Sequence, residues 1–456
     1  MELSDLKYFI DSSAHCHLVG IGGVSMAPLA EVLHSMGLKI TGSDISDGPT
    51  VRRLQNLGIT VIIGHSADNI KGANFIVRTA AVRDDNAEIS AALSAGIPVF
   101  ERAQAWGYIM RSYKNAVCIS GTHGKTTTTS MITHILMAGD LDPTVMIGGT
   151  LPLLMASHRV GRGDTIVLEA CEYYNSFHSF APTVAVILNV DLDHIDFFDS
   201  LDDIKTSFRT FASLVPNDGC IVCNRDDKNT MDSLAPLSRE LFTFGFNADA
   251  RVRGENIVSS GGGSSFDIFY DNEFFAHINL RLPGMHNISN SLAAAAAAIS
   301  MSIPAPAVER GLSSFTGAER RFEYKGNVNG ADVYDDYAHH PSELHALLDM
   351  VSALNYKRIL LAFQPHTYTR THALFESFKN ELARVDKLFV SEIYAAREEN
   401  TVGISAKNLT DSIPGSVFCP TFADTIKHIS STAAPGDIIL TVGAGDIYKV
   451  GEALVR

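Results

Sequence analysis

The run Ser120-Gly121-Thr122-His123-Gly124-Lys125-Thr126-Thr127 constrains the fold more than any other stretch of the chain. A short apolar segment, Ala116-Val117-Cys118-Ile119, leads into it, and Thr128-Thr129-Ser130-Met131-Ile132 can start a helix behind it. A strand, a glycine-bounded turn, a lysine and a hydroxyl make a cradle for phosphate. Backbone N–H groups and the helix N-terminus face the anion, Lys125 adds a point charge, and Thr126 can reach a Mg²⁺ ion. An ordinary strand-to-helix turn with an incidental lysine is the bland alternative; the strand before and the helix after favour phosphate. The spacing is shorter than in the standard P-loop, with Gly121 as its first glycine.

At 456 residues the chain is long enough for several domains, and 46% hydrophobic content supports large cores. Three segments emerge, at 1–113, 114–318 and 319–456. In the first, apolar strands at Cys16–Ile21, Lys39–Gly42, Ile59–Ile63, Phe75–Arg78 and 96–100 alternate with helical spacing such as Met26 to Met36. The second adds strands at Thr165–Glu169, Val184–Asn189, Gly219–Cys223 and Leu241–Phe244. A flexible Gly261-Gly262-Gly263-Ser264-Ser265 turn follows, then a long helix from about Asn287. The third places strands near Val333–Asp335, Ile359–Phe363, Leu388–Ser391 and Ile438–Val442. The alternation predicts an α/β protein of three domains: a Rossmann-like N-terminal domain, a central P-loop ATPase-type domain and a Rossmann-like C-terminal domain.

A formal charge of −15 disfavours nucleic acid and acidic membranes as partners. No stretch approaches the roughly 20 apolar residues of a membrane span, and the acidic N-terminal residues do not resemble a secretory signal. The six cysteines are scattered, and Cys220-x-x-Cys223 sits in a strand-like run, so buried thiols are expected rather than zinc. A cytoplasmic location follows as an expectation.

The loop Gly20-Ile21-Gly22-Gly23-Val24-Ser25-Met26 follows the first strand, and Asp44 ends the second about twenty residues on. That is the setting in which a pyrophosphate rests on a helix N-terminus and a carboxylate reaches a ribose. NAD is the obvious ligand for such a loop, but the third fingerprint glycine would fall at Met26. Further on, Leu168-Glu169-Ala170-Cys171-Glu172-Tyr173 and Val190-Asp191-Leu192-Asp193-His194-Ile195-Asp196 end successive strands. Strand C-termini converge on one crevice in open α/β sheets. Lys125, Thr126, Glu169, Glu172, Asp193 and His194 can thus gather around a nucleotide phosphate and its metals, or serve merely as helix-capping acids.

In the third segment, Asp335-Asp336-Tyr337-Ala338-His339-His340-Pro341, Phe363-Gln364-Pro365-His366-Thr367-Tyr368-Thr369-Arg370-Thr371 and Gly443-Ala444-Gly445-Asp446-Ile447 complete an ordered series. From Gly20 to Ile447 this series resembles the Mur ligase family of peptidoglycan synthesis, in its alanine-adding branch. The resemblance implies ATP-dependent joining of L-alanine to UDP-N-acetylmuramate through an acyl phosphate, with ATP and Mg²⁺ (or Mn²⁺), in a monomer or weak homodimer. It implies that Gly20, Ile21, Gly22, Gly23, Ser25, Met26 and Asp44 hold the UDP-sugar. Gly121, Thr122, His123, Gly124, Lys125, Thr126 and Thr127 would hold ATP, joined by Asn287, Asn290, Arg321, Asp335 and Asp336. Thr126, Glu172 and His194 would hold metal. Tyr337, His339, His366 and Arg370 would face the muramoyl carboxylate and the amino acid, with Lys125, Glu172, His194, His339 and Arg370 as the catalytic set. Either His339 or His366 would take the proton of the amine. Two positions depart from the family pattern: Ser25 replaces a glycine, and Thr367 replaces an arginine, leaving Arg370 more of the carboxylate. Where sibling ligases carry a carbamoylated lysine this chain has Arg209, with Lys205 off register, so no modified lysine is expected.

Overall fold

The structure, a computed structural model, describes residues 3–79, 82–260 and 262–456. It contains three α/β units, each built on its own sheet. The first sheet has five strands in the order Thr60–Ile63, Lys39–Asp44, His15–Val19, Phe75–Arg78 and Val99–Glu101. All four pairings are parallel. Strand order reverses at His15–Val19, so the loop Gly20–Met26 emerges at the point where such sheets leave a crevice.

The central sheet has ten strands. Asn115–Ser120 lies between Thr165–Glu169 and Val184–Ile187, and both pairings are parallel. The phosphate loop and the two acidic runs therefore leave neighbouring strand ends on one edge of the sheet. At one margin Val252–Ser260, Gly263–Tyr270 and Glu273–Leu280 form an antiparallel meander. Gly262 and Gly263 open its second strand; Gly261 lies outside the described residues. The helix Met285–Ser300 packs beside the helix Lys125–Ala138. Its run Ala293–Ala298 is fully buried, because only methyl-sized side chains let the two helices and the sheet approach so closely.

The third sheet runs Glu323–Val328, Ala331–Asp336, Ile438–Val442, Ile359–Phe363, Lys387–Ser391 and Val417–Cys419. Only the first pair is antiparallel. Separate apolar cores line its two faces. By contrast, the core of the first unit is continuous with one face of the central sheet: Trp106 and Phe100 belong to the same buried cluster as Phe177, Phe208 and Phe211.

Several elements escaped the apolar patterns. The hairpin Thr144–Leu151 with Ala156–Arg159 carries Gly148 and Gly149 inside its first strand. Glu323–Val328 is a polar edge strand, and the helix Leu3–Asp11 has no strong start signal. Every described cysteine is a free thiol, and Cys220 and Cys223 share the strand Cys220–Asn224, three apart and so on opposite faces. Ser25 sits at φ −111°, an ordinary right-handed value, so the family's glycine is not required there for its backbone freedom.

Candidate active site

The phosphate loop turns through two left-handed glycines, Gly121 at φ 140° and Gly124 at φ 85°. A Cβ on Gly124 would meet Asn290 Oδ1 at 2.6 Å, so the loop lies tight against the start of the alanine-rich helix. Asn189 pins the turn, accepting from His123 N at 2.8 Å and donating to His123 O at 3.1 Å. Lys125 Nζ lies over the loop, donating to Gly121 O at 2.5 Å and to Glu172 Oε2 at 3.1 Å. Burial works against its charge, but Glu172 outweighs that and holds the ammonium up at about 12. Burial likewise opposes ionisation of Glu172, yet Lys125 and then His194 keep it below the usual carboxylate range. His194 Nε2 is 3.5 Å from Glu172 Oε1. Its ring stacks on Tyr173, and its backbone is held at φ 52°. Thr126 Oγ1 donates to Glu169 Oε2 at 3.3 Å, and burial raises the Glu169 carboxyl. A hydroxyl, two carboxylates and an imidazole around a loop of backbone donors suit a hard divalent ion sharing phosphate oxygens. The residues present therefore fit both a nucleotide triphosphate and Mg²⁺.

The third unit closes over this edge. Arg370, buried, donates through Nε and Nη2 to Asp193 Oδ1 at 3.0 and 2.8 Å, and through Nη1 to His366 Nδ1 at 3.1 Å. Its guanidinium is thus committed to the neighbour of His194 and to a histidine. The larger share of a substrate carboxylate that the resemblance leaves to Arg370, for want of an arginine at Thr367, would fall to a group already holding Asp193 and His366. Thr367 itself sits at φ 65° as the cap of the helix Tyr368–Ala373. His339 and His366 meet edge to face at 5.7 Å, and His366 stacks on Tyr394. Burial lowers His339 to about 4 and His366 to about 3, so both rings are neutral. Tyr337 lies 5.6 Å from His339, with Arg320 and Arg321 over its ring.

A cavity of about 460 Å³ runs from the phosphate loop into the cleft between the second and third units. His123, Gly124, Thr127, Asn287, Asn290, Arg321 and Asp336 all line it. Asn287 Nδ2 is held by Pro283 O at 2.7 Å. Asp336 accepts from Phe322 N and Ala338 N, both at 2.8 Å, and burial raises its carboxyl to about 6. Asp335 does not reach this cavity, contrary to its expected place beside Asp336. It is fully buried, accepting from Arg320 Nε at 2.9 Å and Thr441 Oγ1 at 2.7 Å. Adjacent strand residues face opposite sides, so only one of the pair can look into the cleft.

No residue of Gly20–Met26 lines that cavity; the loop stands at the end of the first sheet. There Gly22 N donates to Asp44 Oδ2 at 2.8 Å, so this carboxylate braces the loop. Arg102 donates to the Ser25 hydroxyl. Arg209 Nε donates to Ser233 O, and Lys205 pairs with Asp232, so neither belongs to the phosphate cluster.

Glu343 escaped the sequence reading. It accepts from the backbone of His339 and His340 at 2.9 and 3.2 Å, and its two oxygens lie 3.2 Å from His339 Nδ1 and 3.4 Å from His123 Nδ1. Nearby, Ser342 Oγ donates to Asp191 Oδ2 at 2.6 Å. His123, Asp191 and His340 form a compact trio of ligand-type side chains. Both His340 nitrogens are nevertheless engaged, by Leu192 O and by Ser342 N, which makes the trio a polar clasp between units.

Comparison with known proteins agrees across the chain. Residues 15–114 match the Mur ligase family, catalytic domain; 119–298 the Mur ligase middle domain; and 320–445 the Mur ligase, glutamate ligase domain. The UDP-N-acetylmuramate--L-alanine ligase of Clostridium novyi is 42% identical over 99% of both chains. That of Caldanaerobacter subterraneus is 43% identical over 96% of this chain and 97% of its own. Among solved structures, the UDP-N-acetylmuramate-alanine ligase of Thermotoga maritima superposes with a TM-score of 0.79 at 28% identity, covering 97% of this chain and 98% of its own. A murein peptide ligase from Psychrobacter arcticus gives 0.69 at 25% identity, covering 97% and 98%. With all three units matched in order, the chain belongs to the Mur ligase family.

Proposed function

We propose that the protein joins L-alanine to the lactyl carboxylate of UDP-N-acetylmuramate at the expense of ATP, yielding UDP-N-acetylmuramoyl-L-alanine, ADP and phosphate for peptidoglycan precursor synthesis. One observation carries the reading: a phosphate loop with its lysine, two acidic strand ends and two neutral histidines meet across a closed domain boundary. Full-length relatives with that printed activity support it.

A carboxylate is too poor an electrophile to meet an amine. Transfer of the γ-phosphoryl group to it makes an acyl phosphate, a mixed anhydride with a good leaving group. Three anions must approach one another, so the work is positioning and charge neutralisation. Lys125 supplies the fixed charge on the phosphate loop. Gly121 to Thr127 offer backbone donors, and Asn287, Asn290, Arg321 and Asp336 line the remainder of the nucleotide cleft. Mg²⁺, held by Thr126, Glu172 and His194, would supply Lewis-acid neutralisation of the phosphates. The loop Gly20–Met26, braced by Asp44, holds the UDP part, while Tyr337, His339 and His366 face the amino-acid side. Arg370, through Asp193, holds the third unit against the His194 loop and keeps water out.

The three units, divided after Tyr113 and after Ala318, act as sugar-nucleotide, ATP and amino-acid domains. Among the described residues no helix is long and apolar enough to cross a membrane; we place the enzyme in the cytoplasm as a monomer or weak homodimer. The test is phosphate release with UDP-N-acetylmuramate, L-alanine and ATP, omitting each in turn and replacing L-alanine by a tripeptide. Release that needs all three and is not supported by the tripeptide is expected. Release indifferent to alanine would refute the assignment.

A further inference from the structure

The hydrogen-bond partners of the two neighbouring histidines distinguish their chemistry. His339 Nδ1 lies 3.0 Å from Tyr337 O and 3.2 Å from Glu343 Oε2. A carbonyl and a carboxylate only accept, so Nδ1 carries the proton and Nε2 carries the lone pair. That Nε2 has no protein partner among the described residues. His366 is the reverse. Its Nδ1 faces Arg370 Nη1 at 3.1 Å, and a guanidinium only donates, so the lone pair of His366 is already occupied and its Nε2 carries a proton. Charged groups around His339 are Glu343, Arg370 and Asp193; burial disfavours the charge the ring gains on taking a proton, and the Glu343 carboxylate beside it offsets that cost.

Resting on the ligase reading above, we propose that His339 Nε2 takes the proton of the incoming ammonium, with Tyr337 O fixing the ring in the tautomer able to do so and Glu343 as the positioning residue whose carboxylate lies beside Nδ1. One proton passes from the ammonium nitrogen to Nε2. The freed nitrogen lone pair forms the C–N bond at the acyl phosphate carbon. The tetrahedral adduct collapses with cleavage of the C–O bond to phosphate, which leaves with the electron pair and takes up the second nitrogen-bound proton. His339 then returns its proton to solvent. No oxidant or further reactant is needed.

Glu343 does a second thing. Its other oxygen faces His123 of the phosphate loop, 3.4 Å from Nδ1. The carboxylate therefore spans the domain boundary, linking the segment that carries His339 to the nucleotide loop. Its capping duty to His339 N and His340 N keeps it in place at the start of the helix Pro341–Ser352.

Hydroxylamine tests this, because it is unprotonated at neutral pH and attacks acyl phosphates without a base. Wild-type enzyme with ATP and UDP-N-acetylmuramate should give an amide with L-alanine and a hydroxamate with hydroxylamine. In His339→Gln the ratio of amide to hydroxamate should fall about 100-fold or more, and in Glu343→Gln it should fall in the same direction. In His366→Gln the two products should fall together. Alanine ligation retained within about threefold in His339→Gln would overturn the inference alone, as would parallel loss of both products in that variant. Failure of the wild-type enzyme to form either product would instead overturn the ligase reading, and this inference with it.

Discussion

Lys125 sets the residue scale. Its ammonium is bonded directly to loop carbonyls and to Glu172. Lys125→Ala should lower ATP-dependent phosphate release by about 10²–10³-fold, the usual cost of removing a transition-state charge partner; steady-state assays would read it, and wild-type turnover would contradict it. Arg370→Lys should not rescue the boundary contact. Arg370 grips Asp193 and His366 with three nitrogens, and an ammonium cannot reproduce that fork. We expect a drop in kcat of about tenfold or more with the ATP affinity of the central domain intact, measured by nucleotide titration. That Lys125, Glu172 and His194 lie together was legible in the residues themselves, because each follows the end of a neighbouring strand. Glu343 was not legible, since a glutamate three residues after His340 and following a proline reads as a capping residue. Asp335 and Asp336 look interchangeable in a sequence; strand alternation separates them, sending one to Arg320 and Thr441 and the other to the cleft.

At the scale of elements, close approaches decide what is tolerated. Gly107, within the helix Arg102–Met110, lies against the segment Tyr173–Ser179 of the next unit: a Cβ there would stand 1.8 Å from Ser179 O. Gly107→Ala should cost about 3 kcal/mol or more of stability, since backbone cannot move aside as a side chain can. Chemical denaturation would show it, and an unchanged midpoint would contradict the packing described. The strands that carry the site were readable because buried parallel strands form continuous apolar runs: Phe75–Arg78, Thr165–Glu169, Ile359–Phe363 and Ile438–Val442 fall where the apolar pattern puts them. Edge strands lack that signature. Glu323–Val328 exposes polar residues and Ala156–Arg159 is short and half-buried, while Thr144–Leu151, one strand in from the edge, is interrupted by Gly148 and Gly149.

Over the whole molecule, the second and third units meet along the phosphate loop, sharing a cavity and the Arg370–Asp193 pair. His123 lies at that boundary, with burial opposing its charge but Asp191 and Glu343 raising it to about 9. Its folded value lies above the unfolded one of about 6.5. Its contribution to closure is therefore fully present below about 6.5 and fades as pH rises through about 9. Small-angle scattering should show the wild-type protein expanding over that window and His123→Gln lacking the transition; identical pH profiles would contradict it. No periodicity in the chain foretells such closure, because it joins residues as distant as Asp193 and Arg370.

The most direct test of the whole account follows the oxygen atoms. UDP-N-acetylmuramate labelled with ¹⁸O in its lactyl carboxylate should deliver one labelled oxygen to the released phosphate in each turnover with ATP and L-alanine. Phosphate released without that label would contradict the acyl phosphate, and with it the purpose assigned to this cluster of lysine, carboxylates and histidines.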